Sequence, residues 1–583
     1  MNCQPIGQPC RNFQILGIAK LNDPRDGDRE KVVLSNFASG AIGSIVLVDP
    51  ATGTGEALDL PGDNGAWAVL NWRDERLLIG TCGQYGYLHS LDLATRQWDA
   101  PLRDEREQYI WNLCLGSDGL VYGGTWPGCV LLRYDPERRT LENLGRVSDH
   151  PDNMYSRLVY GGIPGHILIS CGSAESHLSL WSMESRTWRR FGRPGASVKE
   201  INKDFLCLQT GSELDFYDLH TLEHLEGDLS GRLTPAGRPA RYSGMSFSIG
   251  LADGRALATR GQEYYLDDGS EVAPLLQPIP APRPATHILT IIADAAGRIW
   301  GPAGFGQTIF CHDPAAAEPW NSQVVCNNGG EVYGLAEIDG RLFLACYSGG
   351  DHVVYDPTQP WDQINNLNPR TLQPVGPELI RPAGRSVVGP DGHFWTGWMA
   401  RYGTYGGGLS RIDSRTLEMT SWYDPMPAQA IVGLAADRQY LYFITSGGAN
   451  GLPAKEEPLH FGVWSPEGRL VWKHQFPVGV ALKGVAAVNG KVALSVDQRI
   501  EIFDPAQLRF ERAVELETPC HYLAALPSGQ AALFCGSQLW LLDPLSGTRV
   551  FAGELPGQVN TMAVTPAGEV YVAGGTTLYR LTL

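Results

Sequence analysis

Residues that could bind or convert a ligand lie together in one glycine-rich segment, WMARYGTYGGG at positions 398–408. Arg401 stands beside Tyr402 and near Tyr405, so a cation able to hold a carboxylate neighbours two phenols. The glycines allow backbone conformations that other residues avoid, and they let a ligand approach the main chain closely. A glycine-rich β-bulge that only turns a corner of a sheet is the structural alternative for this segment.

Histidine is the second source of candidate chemistry, because its side chain can exchange a proton near neutral pH. His352 follows an aspartate in another glycine-containing loop, and His287 comes shortly before an apolar strand. Either could act as a general base, and a histidine without a catalytic role is the alternative at both positions. The 12 cysteines show no metal-ligand spacing, so we expect no dedicated metal site.

A repeated phrase predicts the elements that would position these residues. Apolar strands end in an aromatic–Asp–Pro turn or a close variant every 30–50 residues, for example at 134–136, 355–357 and 503–505. Glycine turns precede many of these phrases, and two turn signals in each repeat indicate two hairpins, which form a four-stranded blade. About thirteen such units in 583 residues predict an all-β fold of two tandem β-propellers, with about six to seven four-stranded blades each.

The turn-rich stretch 327–330 is the expected boundary between the two rings. We therefore expect an N-terminal β-propeller at 1–325 and a C-terminal β-propeller at 326–583. The last unit, 558–583, holds only three strand segments. A strand from residues 1–11 could complete it, and the sequence leaves this open.

In a propeller, the start of each inner strand and the loop between the second and third strands emerge on one face, where ligands usually bind. Candidate catalytic residues at such positions are His352, Tyr405, Arg401 and Arg385 in the second ring, and Tyr109, Tyr155, Arg157 and His287 in the first. Candidate ligand-binding residues are Trp67, Trp111, Trp126, Tyr333, Tyr347, Trp398 and Tyr402. Glu331 also stands at the start of an inner strand. Packing between blades is the alternative for the aromatic residues.

Aromatic side chains beside arginines suit sugars, because the rings stack on pyranose C–H faces while arginine holds a carboxylate. The first hypothesis is a carbohydrate-active enzyme, a lyase acting on uronic-acid-containing oligosaccharides by C5 proton abstraction and β-elimination. Tyr405 or His352 would be the base, and Arg401 or Arg385 the carboxylate clamp. The alternatives are a non-catalytic scaffold that binds a protein or glycan partner, and a metal-dependent hydrolase or lactonase with Ca²⁺ or Mg²⁺ in a propeller channel.

Composition argues against several other partners. The net charge of −17 and the lack of a basic run disfavour nucleic-acid binding, and no apolar stretch is long enough to predict a membrane helix. No signal peptide is recognisable and many cysteines lie in apolar strands, so we expect a cytoplasmic protein with reduced thiols. A periplasmic or secreted location, with Cys3 paired to Cys10, is the alternative. The sequence does not predict the oligomeric state.

Two stretches resemble known propeller repeats. GPDGHFW at 389–395 is similar to the repeat of streptogramin-lyase-like propellers, and 120–136 is similar to bacterial WD40-like, NHL and PQQ-like repeats. The resemblance implies the propeller fold over most of the chain. Streptogramin lyases are single seven-bladed rings with a histidine base and a magnesium ion, but their catalytic residues have no match here and the doubled length departs from that family. In propeller lyases acting on uronic acids, histidine or tyrosine removes the C5 proton while arginine or a metal neutralises the carboxylate.

Overall fold

The computed structural model describes residues 1–235, 240–244, 246–328 and 330–583. Its described part contains 52 β-strands in 13 antiparallel sheets, together with two 3₁₀-helices, Pro24–Asp26 and Ser230–Arg232. No helix in that part is long and apolar enough to cross a membrane. Gly329, from the expected boundary turn, lies outside the described residues.

Each sheet is a propeller blade, and blades are numbered here in the chain order of their inner strands. Blade 1 contains β2 (Gln14–Asp23), β3 (Arg29–Phe37), β4 (Ser44–Val48) and β5 (Gly55–Asp59). Blade 2 contains β6 (Ala66–Trp72), β7 (Arg76–Thr81), β8 (Tyr87–Asp92) and β9 (Leu102–Arg103). Blade 3 contains β10 (Tyr109–Leu115), β11 (Val121–Trp126), β12 (Val130–Asp135) and β13 (Thr140–Arg146).

The next three blades follow the same order, although blade 5 has only three strands in the described part of the chain. Blade 4 contains β14 (Tyr155–Ile163), β15 (His166–Gly172), β16 (His177–Ser182) and β17 (Thr187–Phe191). Blade 5 contains β18 (Ser197–Ile201), β19 (Phe205–Thr210) and β20 (Glu213–Asp218). Blade 6 contains β21 (Ser248–Gly250), β22 (Ala256–Arg260), β23 (Glu263–Asp267) and β24 (Gln277–Pro278).

Blades 7 to 9 follow, and in blade 9 two short strands, β33 and β34, share the innermost position. Blade 7 contains β25 (Ile292–Ala293), β26 (Ile299–Pro302), β27 (Ile309–His312) and β28 (Trp320–Asn321). Blade 8 contains β29 (Val332–Ile338), β30 (Arg341–Cys346), β31 (Asp351–Tyr355) and β32 (Arg370–Thr371). Blade 9 contains β33 (Leu379–Arg381), β34 (Ser386–Val388), β35 (Phe394–Ala400), β36 (Gly407–Ile412) and β37 (Met419–Tyr423).

The last four blades end with one that combines strands from both ends of the chain. Blade 10 contains β38 (Ala430–Ala436), β39 (Leu441–Ser446), β40 (His460–Ser465) and β41 (Arg469–Gln475). Blade 11 contains β42 (Leu482–Val488), β43 (Lys491–Val496), β44 (Arg499–Asp504) and β45 (Arg509–Glu515). Blade 12 contains β46 (Tyr522–Ala525), β47 (Ala531–Cys535), β48 (Gln538–Leu542) and β49 (Arg549–Glu554), and blade 13 contains β50 (Thr561–Val564), β51 (Val570–Gly574), β52 (Thr577–Thr582) and β1 (Asn2–Gly7).

The aspartates of the repeated phrase form the turns after the third strands. Asp135 Oδ1 accepts the backbone N–H groups of Glu137 and Arg138, both at 3.0 Å. Asp218 and Asp413 hold the corresponding turns in the same way. A carboxylate that accepts nearby N–H groups favours a tight turn over a continued strand. This contact explains why the phrase marks the blades.

Contacts between neighbouring blades close two rings. Blade 1 packs on blade 6 in a buried cluster that includes Phe13 and Tyr264, which closes a six-bladed ring. Blade 7 packs on blade 8 through residues such as Trp300, and on blade 13 through Phe310 and Tyr571, which closes a seven-bladed ring. The chain thus forms two tandem β-propellers, as the sequence predicts.

The N-terminal strand belongs to the second ring, because β1 pairs with β52 from Asn2–Thr582 to Gly7–Leu578. The first ring is therefore inserted between β1 and the other strands of the second. Segments 8–13 and 279–291 cross between the rings, and Asn12 N–H donates to Pro284 O across them at 3.1 Å. We propose that the rings divide within these segments rather than at 325/326, because the apolar contacts of blade 7 lie with blades 8 and 13.

Candidate functional site

The ligand-binding faces predicted for the two rings are turned toward each other. On one side, Ser173 Oγ in the β15–β16 loop donates to Gly451 O in the β39–β40 loop. The α-carbon of Gly403 lies against the Ser173 carbonyl, where no side chain would fit. On the other side, Arg260 Nη2 donates to Gln363 Oε1. Loops of both rings therefore enclose a common inter-ring space.

Aromatic residues from both rings meet in this space and form what we call the inter-ring cluster: Tyr109, Trp111, Trp126, Tyr155, Tyr333, Tyr347 and Tyr402. Within the first ring, Tyr109 packs on Trp126 with ring centroids 5.0 Å apart, and Tyr155 lies 5.7 Å from Trp111. Tyr155 reaches across to Tyr402 at 6.4 Å. Trp67 extends the cluster from the first ring, at 5.2 Å from Trp111.

Two ionisable side chains, Arg381 and Glu331, belong to the same cluster. Arg381 lies with its guanidinium carbon 4.1 Å from the centre of the Tyr347 ring, and its Nη1 donates to Tyr333 Oη at 2.8 Å. The Tyr347 and Tyr402 hydroxyls are 2.6 Å apart. Glu331 is only 6% exposed, and burial raises the pKa of its carboxyl above the usual range. The charges of Glu331 and Arg381 both act on the hydroxyl of Tyr109, which belongs to the first ring.

Several polar atoms of this cluster are buried without a hydrogen-bond partner among the described residues. They are Glu331 Oε2, Arg381 Nε, Trp111 Nε1 and Trp126 Nε1. A buried donor or acceptor that is left unpaired costs about 1–3 kcal/mol, so native proteins rarely leave several together. The inter-ring cluster therefore presents both donors and an acceptor to any polar group that enters it.

Four tyrosines of the cluster hold their protons at neutral pH. Burial is the main cause that raises the pKa of Tyr109, Tyr155, Tyr333 and Tyr347 above the ordinary value for a phenol. Because the neutral phenol is favoured, these side chains suit stacking and hydrogen-bond donation. They do not suit proton abstraction.

A second feature adjoins the cluster: a cavity of about 420 Å³ in the channel of the seven-bladed ring. Inner-strand residues of all seven blades line it, among them Tyr333, which also belongs to the inter-ring cluster. Its polar lining includes Arg385, Lys483, His521 and Tyr522, and none of its lining residues in the described chain is a carboxylate. The volume falls within the range of roughly 300–1,000 Å³ that is common for small-molecule sites.

A break in the inner strand of blade 9 places two arginines at these features. β33 and β34 both pair with β35, and residues 382–385 bulge out between them. Pro382 has no N–H for the sheet ladder, which favours a break at this point. Arg381 then lies in the inter-ring cluster and Arg385 lines the channel. Arg385 Nη2 donates to Asn560 O at 2.8 Å, and its guanidinium lies 5.0 Å from the Tyr522 ring centre.

A backbone contact shows which ring nitrogen of His521 carries a proton. Its Nε2 lies 2.7 Å from Val559 O, and because a carbonyl can only accept, Nε2 carries the proton. In the neutral ring Nδ1 then has a free lone pair. His521 is half-buried and lines the channel cavity, so a proton acceptor is available there.

Two residues predicted for the site lie inside the blades instead. His352 and Trp398 are 1% and 0% exposed, and both contact Ser410 Oγ, at 2.9 Å from His352 Nε2 and 2.7 Å from Trp398 Nε1. Burial lowers the pKa of His352 to about 4. Both residues lie within strands, paired with Ala345 and Gly408 respectively, and so do not reach the face of the ring.

The other predicted residues lie at the edge of the inter-ring space or outside it. Arg401 is exposed, and Tyr405 donates to Pro453 O at 2.9 Å with Lys455 Nζ 3.7 Å from its ring centre. Arg157 is exposed and lies over Trp111, 5.4 Å from the ring centre. His287 lies in the crossing segment, with its backbone N–H donating to Ser39 O. None of these four lines the channel cavity.

The channel residues do not fit the magnesium ion that the resemblance to streptogramin lyases implies. Magnesium takes hard oxygen ligands, usually carboxylates, whereas this lining offers two cations and an imidazole. In the described part of the chain, no group of three or more His, Cys, Asp or Glu side chains could hold a metal ion.

No protein-family model and no curated protein matches the chain. Among solved structures, it is similar to the extracellular domain of the one-component system BT4673 from B. thetaiotaomicron, at 13% identity and a TM-score of 0.31, over 100% of this chain and 82% of that one. The chain is also similar to a catalytically inactive virginiamycin B lyase from Staphylococcus aureus, at 13% sequence identity and a TM-score of 0.38. This similarity covers 51% of this chain and 96% of that one. Kuenenia stuttgartiensis hydrazine synthase is similar at 12% sequence identity and a TM-score of 0.41, over 54% of this chain and 98% of that one. Similarities of this size do not identify a function.

Four residues of the site were not among the sequence candidates: Arg381, Lys483, His521 and Tyr522. Lys483 and Tyr522 stand at the start of inner strands, which is the position used to choose the others, so the same rule could have found them. His521 directly precedes β46. Arg381 had no such signal, because it ends the short β33 before the break in blade 9.

Proposed function

We propose that the protein binds a carboxylate-bearing oligosaccharide, of the uronic-acid class, with the acidic sugar in the channel of the seven-bladed ring. The observation that carries this proposal is the channel lining, in which Arg385 and Lys483 face a cavity whose lining includes no carboxylate. Two cations without an acidic partner favour an anionic ligand. The adjoining aromatic side chains suit the C–H faces of sugar rings.

Arg385 is the principal carboxylate clamp in this proposal. Its contacts with Asn560 and Tyr522 hold the guanidinium in place, so little side-chain freedom is lost when a carboxylate binds. Lys483 is exposed and supplies a mobile point charge from blade 11, two blades beyond the blade of Arg385. Arg401, the other clamp suggested by the sequence, lies outside the cavity lining.

β-Elimination is the reaction that these groups could carry out on such a ligand. His521 Nδ1 would take the C5 proton, while Arg385 and Lys483 stabilise the charge that develops on the carboxylate. The electron pair of the broken C–H bond forms the C4=C5 double bond and expels the oxygen at C4. Tyr333 lines the same cavity and keeps its proton at neutral pH, so it could donate that proton to the leaving oxygen.

The test is a panel of uronic-acid and neutral oligosaccharides, assayed for binding by calorimetry and for turnover by ultraviolet absorbance and reducing ends. Binding of uronates that is weakened in Arg385→Met supports the proposal, and absorbance that is lost in His521→Gln supports elimination. Uronate binding without absorbance would leave a carbohydrate-binding propeller and remove the lyase. Equal binding of neutral and acidic sugars would remove the assignment of the channel.

A further inference from the structure

The unpaired polar atoms of the inter-ring cluster distinguish it from an ordinary packed interface. Glu331 is more than nine-tenths buried, yet its Oε2 has no hydrogen-bond partner in the described part of the chain. In the same cluster, Arg381 Nε also has no hydrogen-bond partner among the described residues. The charge of Arg381 acts on the Glu331 carboxyl, and the Tyr333 side chain interacts with both groups. Glu331 Oε2 and Arg381 Nε therefore remain an unpaired acceptor and an unpaired donor among the described residues, next to a tyrosine that interacts with both side chains.

The aromatic side chains around these two groups keep part of their surface accessible. Tyr402 is 39% exposed, and Tyr109, Trp126 and Tyr155 are half-buried. Core aromatic residues of the same ring, such as Trp398, are fully buried. Rings that are partly accessible and surround buried polar groups are typical of ligand sites, where an apolar wall accompanies a few convergent polar atoms.

The cluster differs in charge from the channel. Glu331 adds an acid that would repel a second carboxylate, and Arg381 is already engaged by Tyr333 and Tyr347. A neutral group with hydroxyls can both donate to Glu331 and accept from Arg381 and the two indole N–H groups. Its C–H faces can pack on the aromatic rings. These requirements match an uncharged pyranose.

We propose that the inter-ring cluster is a second sugar subsite, which binds an uncharged, hydroxyl-bearing pyranose beside Glu331 and Arg381 and against aromatic residues of both rings. This subsite rests on the proposed function, because it takes the neutral portion of the same oligosaccharide. Tyr333 belongs to both features, so the proposed subsite lies next to the channel cavity.

The experiment titrates the full chain with neutral hexasaccharides of xylose, mannose and glucose, and with hexagalacturonate. Variants are Glu331→Leu, which keeps the side-chain volume without hydrogen bonding, and Trp126→Phe, which removes an indole N–H. Glu554→Leu is the matched control, because Glu554 is exposed on β49 of a distant blade. Lys483→Met tests the channel separately, and thermal unfolding of each variant checks that it is folded.

Binding of a neutral hexasaccharide that falls about tenfold in Glu331→Leu and Trp126→Phe, but not in Glu554→Leu, supports the subsite. If no neutral hexasaccharide binds, and hexagalacturonate affinity is unchanged in folded Glu331→Leu and Trp126→Phe, the subsite is overturned. Weaker hexagalacturonate binding in Lys483→Met alone would then leave the proposed function standing. Neutral binding that depends on Glu331, with no effect of Lys483→Met on any ligand, would support the subsite and remove the channel assignment.

Discussion

Replacing Arg385 with methionine should weaken binding of an acidic oligosaccharide by about 10- to 100-fold. The side chain is held by Asn560 O at 2.8 Å and by the Tyr522 ring at 5.0 Å, so the guanidinium is oriented before the ligand arrives. A hydrogen bond between charged groups contributes about 1.5–3 kcal/mol, and each 1.4 kcal/mol changes the dissociation constant tenfold. Methionine keeps the aliphatic part of the side chain but not the guanidinium, so the loss reports the guanidinium.

Lys483 provides the internal comparison. It is exposed, and a pair of charges 4 Å apart in water contributes only about 1 kcal/mol, so Lys483→Met should cost about fivefold. The control is Arg401→Met, which removes an exposed arginine that does not line the channel. Calorimetric titration with trigalacturonate at low and high salt measures all three, and the effects should shrink at about 1 M salt, where charges are screened within about 3 Å. An Arg385→Met loss no greater than that of Arg401→Met would refute this reasoning.

Three further predictions concern stability. Replacing residues 2–7 by a glycine–serine segment should lower the melting temperature by roughly 10 °C, because β52 loses its only outer partner in the described blade. Differential scanning calorimetry measures the melting temperature. An unchanged value would contradict ring closure by β1. Burial lowers the pKa of His352 from about 6.5 in the unfolded chain to about 4. The free energy of unfolding should therefore fall by up to about 3 kcal/mol as the pH drops from about 6.5 to about 4. Urea unfolding of His352→Gln should show a flatter pH dependence. Burial raises the pKa of Glu331, so the free energy of unfolding of the wild type should fall as the pH rises above about 4.5, the pKa of the carboxyl in the unfolded chain. Urea unfolding of Glu331→Leu should show no such fall.

The sequence was sufficient for the fold because the turn chemistry is local. Asp135 and Asp218 form their turns with residues two and three positions away, so the phrase can be recognised without any tertiary contact. Closure by β1 could not be predicted in the same way, because the pairing of Asn2 with Thr582 joins the two ends of the chain. The position of blade 7 depends likewise on packing against blade 13.

The structure brings together some of the residues chosen from the sequence and not others, for separate reasons. Tyr109, Tyr155, Tyr347 and Tyr402 stand at strand starts or loops, and the structure brings them together. His352 lies inside because β31 already begins at Asp351, and a strand boundary misplaced by one or two residues moves a side chain from the face into the blade. That the two faces meet has no local sequence signal at all.

The insertion of one ring into the other explains why the two faces can form one site. A single linker would leave the rings free to swing, and relative domain motion is the usual expectation for tandem domains. Here two segments cross, and Asn12 joins them: its backbone donates to Pro284 O, its side chain donates to Phe305 O at 2.7 Å and accepts from Gln262 Nε2. Such a double connection restrains the inter-ring space, which would lower the entropic cost of binding the proposed ligand. A site that uses Tyr155 and Tyr402 together therefore requires this connection as much as it requires the residues themselves.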